Sequence, residues 1–550
     1  MSDDTAVAET LDLAAPAAGR PLRVVLLGFY NYESHALRIL HPLLRRRGHE
    51  VHSVFFKNYF TYQVPTPQEE DMVVDLVARL RPDVVGMSVW STYYRLAARL
   101  TDRIKAAGRP VVIWGGIHPQ TRPEECLTHC DVVARGEGEY VMAELTDRVG
   151  LGRDWRDLRG TWARADDGAV IRNPPRLLIP DIDVLPPPDL SPENKYYLGT
   201  NAWRDVARWD RAAIAYGIMM VRGCPFECTF CIHNFTRTAW KGLGTYVRRR
   251  SIDHVMAELR AAVAERPNLR VLSIDDDIFA PSLPWLEEFC ARYKREIGLP
   301  FVMYSFPRMV DEKRVKIMRA AGLWLTTMGI QSGSERIRRD CYERETSNEE
   351  IIEACRIFER HGVMTNLDFI GDNPYEDESD REATVDLLCR LPKPFYFNYF
   401  SLTWFPGVDL TERALRDGHI RPEDVEDVAQ KGYHLWGASL TASRTPEQLR
   451  WDIAYSLAVH GVPKAVVLGL TRSRLFRRNP PSFIRPTLAV QAFARRQLDR
   501  TLARTGRPNL LRMYDENTNR DRHVDMTVMH PNFDSSPFTA PMATLERASS

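Results

Sequence analysis

Two stretches of this 550-residue chain repeat one rhythm, in which short runs of β-branched and aromatic residues alternate with longer amphipathic segments. The first spans about 22–148, with runs RVVLLGF, VHSVFF, DVVGMSV, PVVIWGG and DVVARGEGE. Segments such as HALRILHPLLRRRG and STYYRLAARLTDRIKAAG lie between them, with apolar residues at helical spacing and a closing glycine. Strand alternating with helix predicts a doubly wound parallel sheet, whose ligands sit beyond the carboxyl ends of its strands. Gly28-Phe29-Tyr30, Ser88-Val89-Trp90 and Gly115-Gly116 then share one rim. The second series spans about 212–415, with runs AIAYGIMMV, RVLSIDD, FVMYSF, LWLTTMGI, TNLDFIG and FYFNYFSL.

Length and composition narrow the class. A chain this long exceeds one hydrophobic core, so several domains are expected. The net charge of +1 gives no global field that would attract nucleic acid, and no nucleic-acid partner is expected. Nine cysteines in 550 residues do not form a disulfide scaffold, and reduced thiols suit the cytoplasm. Residues 1–21 are acidic and lack the apolar core of a signal peptide, so they read as a disordered leader. No window offers the roughly 18 uninterrupted apolar residues of a transmembrane helix.

Cys224, Cys228 and Cys231 stand in GCPFECTFC, spaced C-x3-C-x2-C directly after a predicted strand. Three thiolates in one loop can hold three irons of a [4Fe–4S] cube and leave the fourth iron open. The alternative is a structural zinc loop, which normally needs a fourth protein ligand; His233 is the nearby candidate.

This spacing, with Phe230 before the last cysteine, closely resembles the radical S-adenosylmethionine superfamily. The segment WGGIHPQTRPEECL…DVVARGEGE is similar to the cobalamin-binding domain that precedes many of its cores. The resemblance covers about residues 22–415. It implies a Rossmann-like cobalamin-binding domain over 22–148 and a proline-containing linker over 149–211. A partial (β/α)6 barrel core would follow over 212–415. A mainly helical region over 416–520 and a tail over 521–550 complete the α/β chain.

It also implies three cofactors: a [4Fe–4S] cluster on the three cysteines, S-adenosylmethionine and cobalamin. Phe230 would pack near the adenine. Asp276 and Asp277, matching D-D-x-F as far as Phe279, would hold the methionyl ammonium; their alternative role is a solvated helix-capping turn. GIQSGSE resembles the family's G-x-x-S-G-S-E and nominates Gln331, Ser332 and Glu335 for the cofactor's ribose and carboxylate. Ser332 and Glu335 also have capping-box spacing. Gly28, Ser88, Val89, Gly115 and Gly116 would border cobalamin. The first loop reads GFYNYESHAL and lacks the family's D-x-H-x-x-G, which implies cobalt without a histidine lower ligand or a domain that has lost cobalamin.

The expected activity is methylation of an unactivated carbon in a small-molecule substrate through a 5′-deoxyadenosyl radical. Electrons would come from a flavodoxin- or ferredoxin-type donor. Radical cyclisation or rearrangement uses the same parts, and a sensing module with a degenerate core is a third reading. Cys126, Cys130, Cys341, Cys355 and Cys389 are read as packing residues, and His118 and His129 as no metal site. The aromatic run FYFNYFSLTWF would line an apolar pocket or be a strand buried on both faces. The arginine-rich stretch 464–522 reads as a solvated face, with contact to anionic lipid or binding of an acidic substrate as its alternatives.

Overall fold

The computed structural model describes residues 11–32, 34–57, 64–279, 281–426 and 444–505. The described residues divide into two compact units, one of residues up to 269 together with 404–426, the other of residues 270–403 together with 444–505.

The first unit is built on a nine-stranded sheet. Its centre is β1 (Arg23–Phe29), β2 (Glu50–Phe56), β3 (Val84–Ser88), β4 (Val111–Gly115) and β5 (Val132–Ala134). These are parallel in the order β5-β4-β3-β1-β2, the flavodoxin-like form of the doubly wound sheet. β1 and β3 are almost wholly apolar because helices cover both of their faces. Val25, Leu27, Val85, Met87, Val112 and Trp114 belong to one core cluster.

The segment 149–211 corrects the expected linker. It carries β6 (Thr161–Arg164), β7 (Val170–Arg172), β8 (Lys195–Leu198) and β9 (Trp203–Arg204), which extend the sheet at both edges. β8 runs parallel to β2, while β6 and β7 form an antiparallel hairpin on β5. Prolines between the strands hide the period, but do not interrupt the short ladders.

Residues 11–21 also depart from the disordered reading. Leu13 is buried with Leu43, Ala143, Ile179, Ile182 and Leu185. The Ala17 amide donates to the Arg47 carbonyl (2.8 Å), and Arg47 Nη1 donates to the Asp12 carbonyl (2.9 Å). Gly19 lies so close to Gly150 that a Cβ on Gly19 would sit 2.4 Å from the Gly150 carbonyl carbon. Residues 1–10 and the expected tail 521–550 lie outside the described residues.

Of the strands expected for the partial (β/α)6 barrel, β10 (Ala215–Ile218) lies in the first unit, and β13 (Val271–Ile274), β14 (Phe301–Ser305), β15 (Leu323–Gln331), β16 (Met364–Gly371) and β17 (Tyr396–Ser401) lie in the second. A small hairpin, β11 (Val221–Arg222) with β12 (Arg248–Arg249), brackets the cysteine loop.

In the second unit β13–β17 are parallel and in sequence order. Their outer face meets helices: Leu367, Phe369, Phe397 and Tyr399 pack in one cluster with Leu388, Trp451 and Tyr455. The alternate residues Asn366, Asp368 and Asn398 take the opposite face. The run FYFNYF is therefore a two-faced strand rather than an apolar wall. Beyond the strands, helices Pro446–Val459, Lys464–Arg472, Arg474–Arg478 and Ile484–Thr505 give the region its helical character.

Candidate active site

The cysteine loop leaves β11 through Gly223, whose φ is +85°. A Cβ there would stand 2.4 Å from the Tyr246 carbonyl oxygen, so the sharp exit requires glycine. Cys224 and Cys228 are buried and Cys231 is partly buried. Cys231 is the N-cap of helix Ile232–Ala239, and its amide donates to the Cys228 carbonyl (2.9 Å). A helix N-terminus favours thiolate and the negative charge of a cluster. Arg237, one turn on, donates to the Cys224 carbonyl (3.2 Å) and pairs with Glu227 (2.7 Å). The Leu410 amide donates to the Thr229 carbonyl (2.9 Å), so residues 404–426 strap this loop within the first unit.

His233 does not serve as a fourth zinc ligand through Nδ1, which bonds the Tyr246 hydroxyl (2.6 Å). Among the described residues no group of three or more His, Cys, Asp or Glu side chains is arranged to hold a metal ion. A cube suits the loop better, because each of its cysteines binds a different iron. Phe230, the adenine candidate, is partly buried in the same loop.

At the sheet rim, Gly28 pairs in register with Ser88, and Ser88 with Gly115. Three small residues thus stand side by side at the carboxyl ends of β1, β3 and β4. Gly116 (φ +99°) brings its loop against the next one; a Cβ would lie 2.8 Å from the Val89 oxygen. Val89 spends its own backbone inside the protein: its amide donates to Gly115 (2.8 Å) and its carbonyl accepts from His118 (3.1 Å). Val89 therefore shapes the rim without offering hydrogen bonds to a ligand. Trp90 beside it is 46% exposed. A cavity of about 830 Å³ opens where the rim continues, lined by Ser91, His118, Gln120, Arg135, Trp162 and Phe235. The glycine-bordered rim fits a bulky corrin with a nucleotide tail.

Cys126 and Cys130 are core residues whose thiol pKa values burial raises, and His118 and His129 bond to Ser91 and Asp102. Cys341 and Cys355 are likewise buried, and Cys389 is partly so.

In the second unit Asp276 is buried just beyond β13, whereas Asp277 is exposed. Phe279 packs against Trp285 and Phe289 and donates its amide to the Tyr304 carbonyl (3.0 Å), fixing the loop to β14. Gln331 closes β15 with φ +71°, and Ser332 is buried behind it.

The capping-box reading of Ser332 and Glu335 is corrected. The Ile337 amide donates to Ser334 Oγ, and Glu335 is exposed and accepts from the Asn348 amide (2.6 Å), the first residue of the next helix. Glu335 thus holds a neighbouring helix N-terminus. Ser332 instead donates to Glu376 (3.1 Å), a residue of the DNPYE string that sequence reasoning had not nominated. Burial raises the Glu376 pKa to about 7 against the pull of that hydroxyl.

GIQSGSE is locked to helix Glu378–Arg390. The Gly333 amide donates to Thr384 Oγ1 (3.0 Å), and Ser334 Oγ donates to Asp380 (2.6 Å). A Cβ on Gly333 would lie 2.2 Å from Thr384 Cα.

The inner face of β15–β17 is polar. Gly329 aligns with Asp368, and Asp368 with Asn398, whose Nδ2 donates to Asp368 Oδ1 (2.8 Å). Asn366 donates to Thr327 (3.2 Å) one layer below. Burial raises the Asp368 pKa to about 7, and the Asn398 amide pulls it only partly back.

Residues 25–146 match the B12 binding domain family, and residues 218–388 match the Radical SAM superfamily. The chain is a cobalamin-binding radical S-adenosylmethionine enzyme. The two domains give it three cofactors: cobalamin, a [4Fe–4S] cluster and S-adenosylmethionine. This radical enzyme is 27% identical over 351 residues to an uncharacterized methyltransferase of Pyrococcus horikoshii, covering 62% of this chain and 72% of that protein. It is 28% identical over 356 residues to an anaerobic magnesium-protoporphyrin IX monomethyl ester cyclase of Rubrivivax gelatinosus, covering 62% and 60%. Its fold is similar to that of the cobalamin-dependent S-adenosylmethionine radical enzyme OxsB solved with aqua-cobalamin bound (TM-score 0.62, 15% identity, 96% of this chain and 84% of that one).

Proposed function

We propose that this enzyme methylates a carbon atom of a small-molecule substrate. One observation carries the reading: a single chain bears both the cysteine loop and a glycine-rimmed β5-β4-β3-β1-β2 sheet. When bound, the cofactors would supply the chemistry, a 5′-deoxyadenosyl radical to take hydrogen from carbon and a methyl group to replace it.

The chain's own residues bind and position. Cys224, Cys228 and Cys231 hold three irons, with Phe230 against the adenine. Asp276 and Ser332, both buried, and Gln331 hold S-adenosylmethionine, with Glu376 orienting the Ser332 hydroxyl. Asp277 and Glu335 are exposed and leave that role to their neighbours. Gly28, Ser88, Val89, Gly115 and Gly116 shape the cobalamin rim. Asp368, held by Asn398, takes a polar group of the substrate and can keep or release a proton at its carboxyl oxygen near neutral pH. Thiols and a cluster suit a reducing cytoplasm, with an external flavodoxin- or ferredoxin-type donor supplying electrons.

Radical cyclisation is the second reading, favoured by the cyclase relative. The test is anaerobic cluster reconstitution, addition of hydroxocobalamin, desalting, and product mass with candidate substrates. Retained cobalamin and a gain of one CH2 unit support methylation. Retained cobalamin with an unchanged or hydrogen-depleted product supports cyclisation, and no retained cobalamin overturns the rim assignment.

A further inference from the structure

Residues 464–505 hold ten lysines and arginines against a single acidic residue, in a chain whose net charge is only +1. Three helices make up most of this segment, and each packs against helix Pro446–Val459. Val467 and Phe476 are fully buried there, and Gln491 donates to Ser456 (2.8 Å). The opposite sides are exposed and carry large apolar side chains: Val466 at 59%, Leu475 at 68% and Phe493 at 58%.

Helix Ile484–Thr505 shows the arrangement most fully. Thr487, Gln491 and Ala494 face inward. Arg485, Ala489, Phe493, Arg496 and Arg500 recur every three or four residues, and all five are exposed. They form one outer stripe with no acidic member. In helix Arg474–Arg478, Leu475 is likewise exposed between exposed Arg474 and Arg478, and Phe476 faces inward. Other cations of the segment are engaged within the unit: Lys464 with Asp386, Arg472 with Glu382 and Arg477 with Glu378.

We propose that this outer face docks on a membrane surface rich in anionic phospholipid. Arginines flanking isolated exposed Phe and Leu match the headgroup-and-acyl boundary, where cations meet phosphates and apolar tips enter the hydrocarbon edge. An acidic protein would satisfy the arginines but leave no reason for the apolar tips between them. The assignment is independent of the cofactors and of the reaction.

The test is co-sedimentation of the full-length holoenzyme with vesicles of phosphatidylcholine alone or with roughly one third phosphatidylglycerol. Binding is expected only to the anionic vesicles and is lost in high salt. The Leu475→Asp/Phe493→Asp variant, altered only at exposed positions and checked for an unchanged melting temperature, should bind at least about ten-fold more weakly. An Arg485→Gln/Arg496→Gln variant should weaken binding as well. Absence of binding to anionic vesicles overturns the proposal. Undiminished binding by the Asp variant overturns it too, because attraction by charge alone fits an acidic protein rather than a bilayer.

Discussion

Arg248 grips Glu137 with both ends of its guanidinium, Nη1 to Oε2 at 2.8 Å and Nη2 to Oε1 at 3.0 Å. Arg222 reaches the same carboxylate at 2.7 Å and is adjacent to the glycine that opens the cysteine loop. Glu137 follows β5, so one buried carboxylate ties the base of the cluster loop to the flavodoxin-like sheet. Glu139 takes the other side of Arg222.

Glu137→Gln should therefore destabilise the protein and weaken cluster retention together. Leaving the buried Arg248 guanidinium without its carboxylate costs about 3–5 kcal/mol, while Arg222 keeps Glu139. Burial alone would raise the Glu137 pKa, but the two arginines outweigh it and hold the value below the ordinary 4.5. Its contribution is thus present above pH about 4.5 and lost as acid titrates the folded form. Melting curves against pH and iron-to-protein ratios after reconstitution check both effects. A variant that melts lower yet keeps its full iron content would separate the tether from the cluster.

Gly333→Ala should loosen the GIQSGSE loop. The added Cβ meets Thr384 Cα at 2.2 Å, backbone that cannot swing aside, and overpacking of this kind costs about 1–3 kcal/mol. S-Adenosylmethionine affinity, read by equilibrium dialysis on the reconstituted enzyme, should fall about ten-fold or more, which equals about 1.4 kcal/mol. Unchanged affinity would remove this loop from the cofactor site.

Asp368 has a folded pKa near 7 against an ordinary 3.8. Its neutral form is favoured in the fold, so its stabilising contribution is complete below pH about 4 and is lost as pH rises through 7. Asp368→Asn should flatten the melting-temperature profile between those limits, by on the order of 2 kcal/mol for a partly buried group. It should also remove the Asp368 share of any activity limb near pH 7, leaving that of Glu376. A profile that stays as steep as the parent's assigns the titration elsewhere.

Arg444 joins Asp372 (2.6 and 3.0 Å) to Asp452 (2.8 and 3.0 Å), pinning the turn after β16 to helix Pro446–Val459. Burial lifts Asp452 to about 6 even with Arg444 present. Arg444→Gln should cost about 3–5 kcal/mol at pH 8, where Asp452 stays charged, and less at pH 5, where Asp452 can take a proton. Denaturant titrations at the two pH values measure the difference. An equal loss at both would show that Asp452 does not relieve the charge.

The strands of both α/β series were readable because buried parallel strands are continuous apolar runs. The added strands were not: Lys195–Leu198 is short, follows a proline-rich stretch and pairs with distant residues such as Ser53, and the two-residue strand Trp203–Arg204 pairs only with it. The cysteine loop was legible from spacing alone. Glu376 and Asp368 were invisible, since one acts through a serine 44 residues away and the other through an asparagine 30 residues away. Glu335 misled because a local spacing rule competes with tertiary contact, and here the Asn348 amide won. Leu13 carried no signal, because a lone leucine in a polar leader reads the same whether it docks or dangles.

The strap at residues 404–426 changes how this protein can be cut and recombined. Gly407 sits against Thr121 and Phe235, and Leu410 is bonded to Thr229, so a late piece of chain completes an early one. A chimera that exchanges everything before residue 270 with a relative's sequence would inherit a mismatched clasp on its cysteine loop. Exchanging residues 404–426 along with that block keeps the pair matched, so the two distant blocks must be exchanged together.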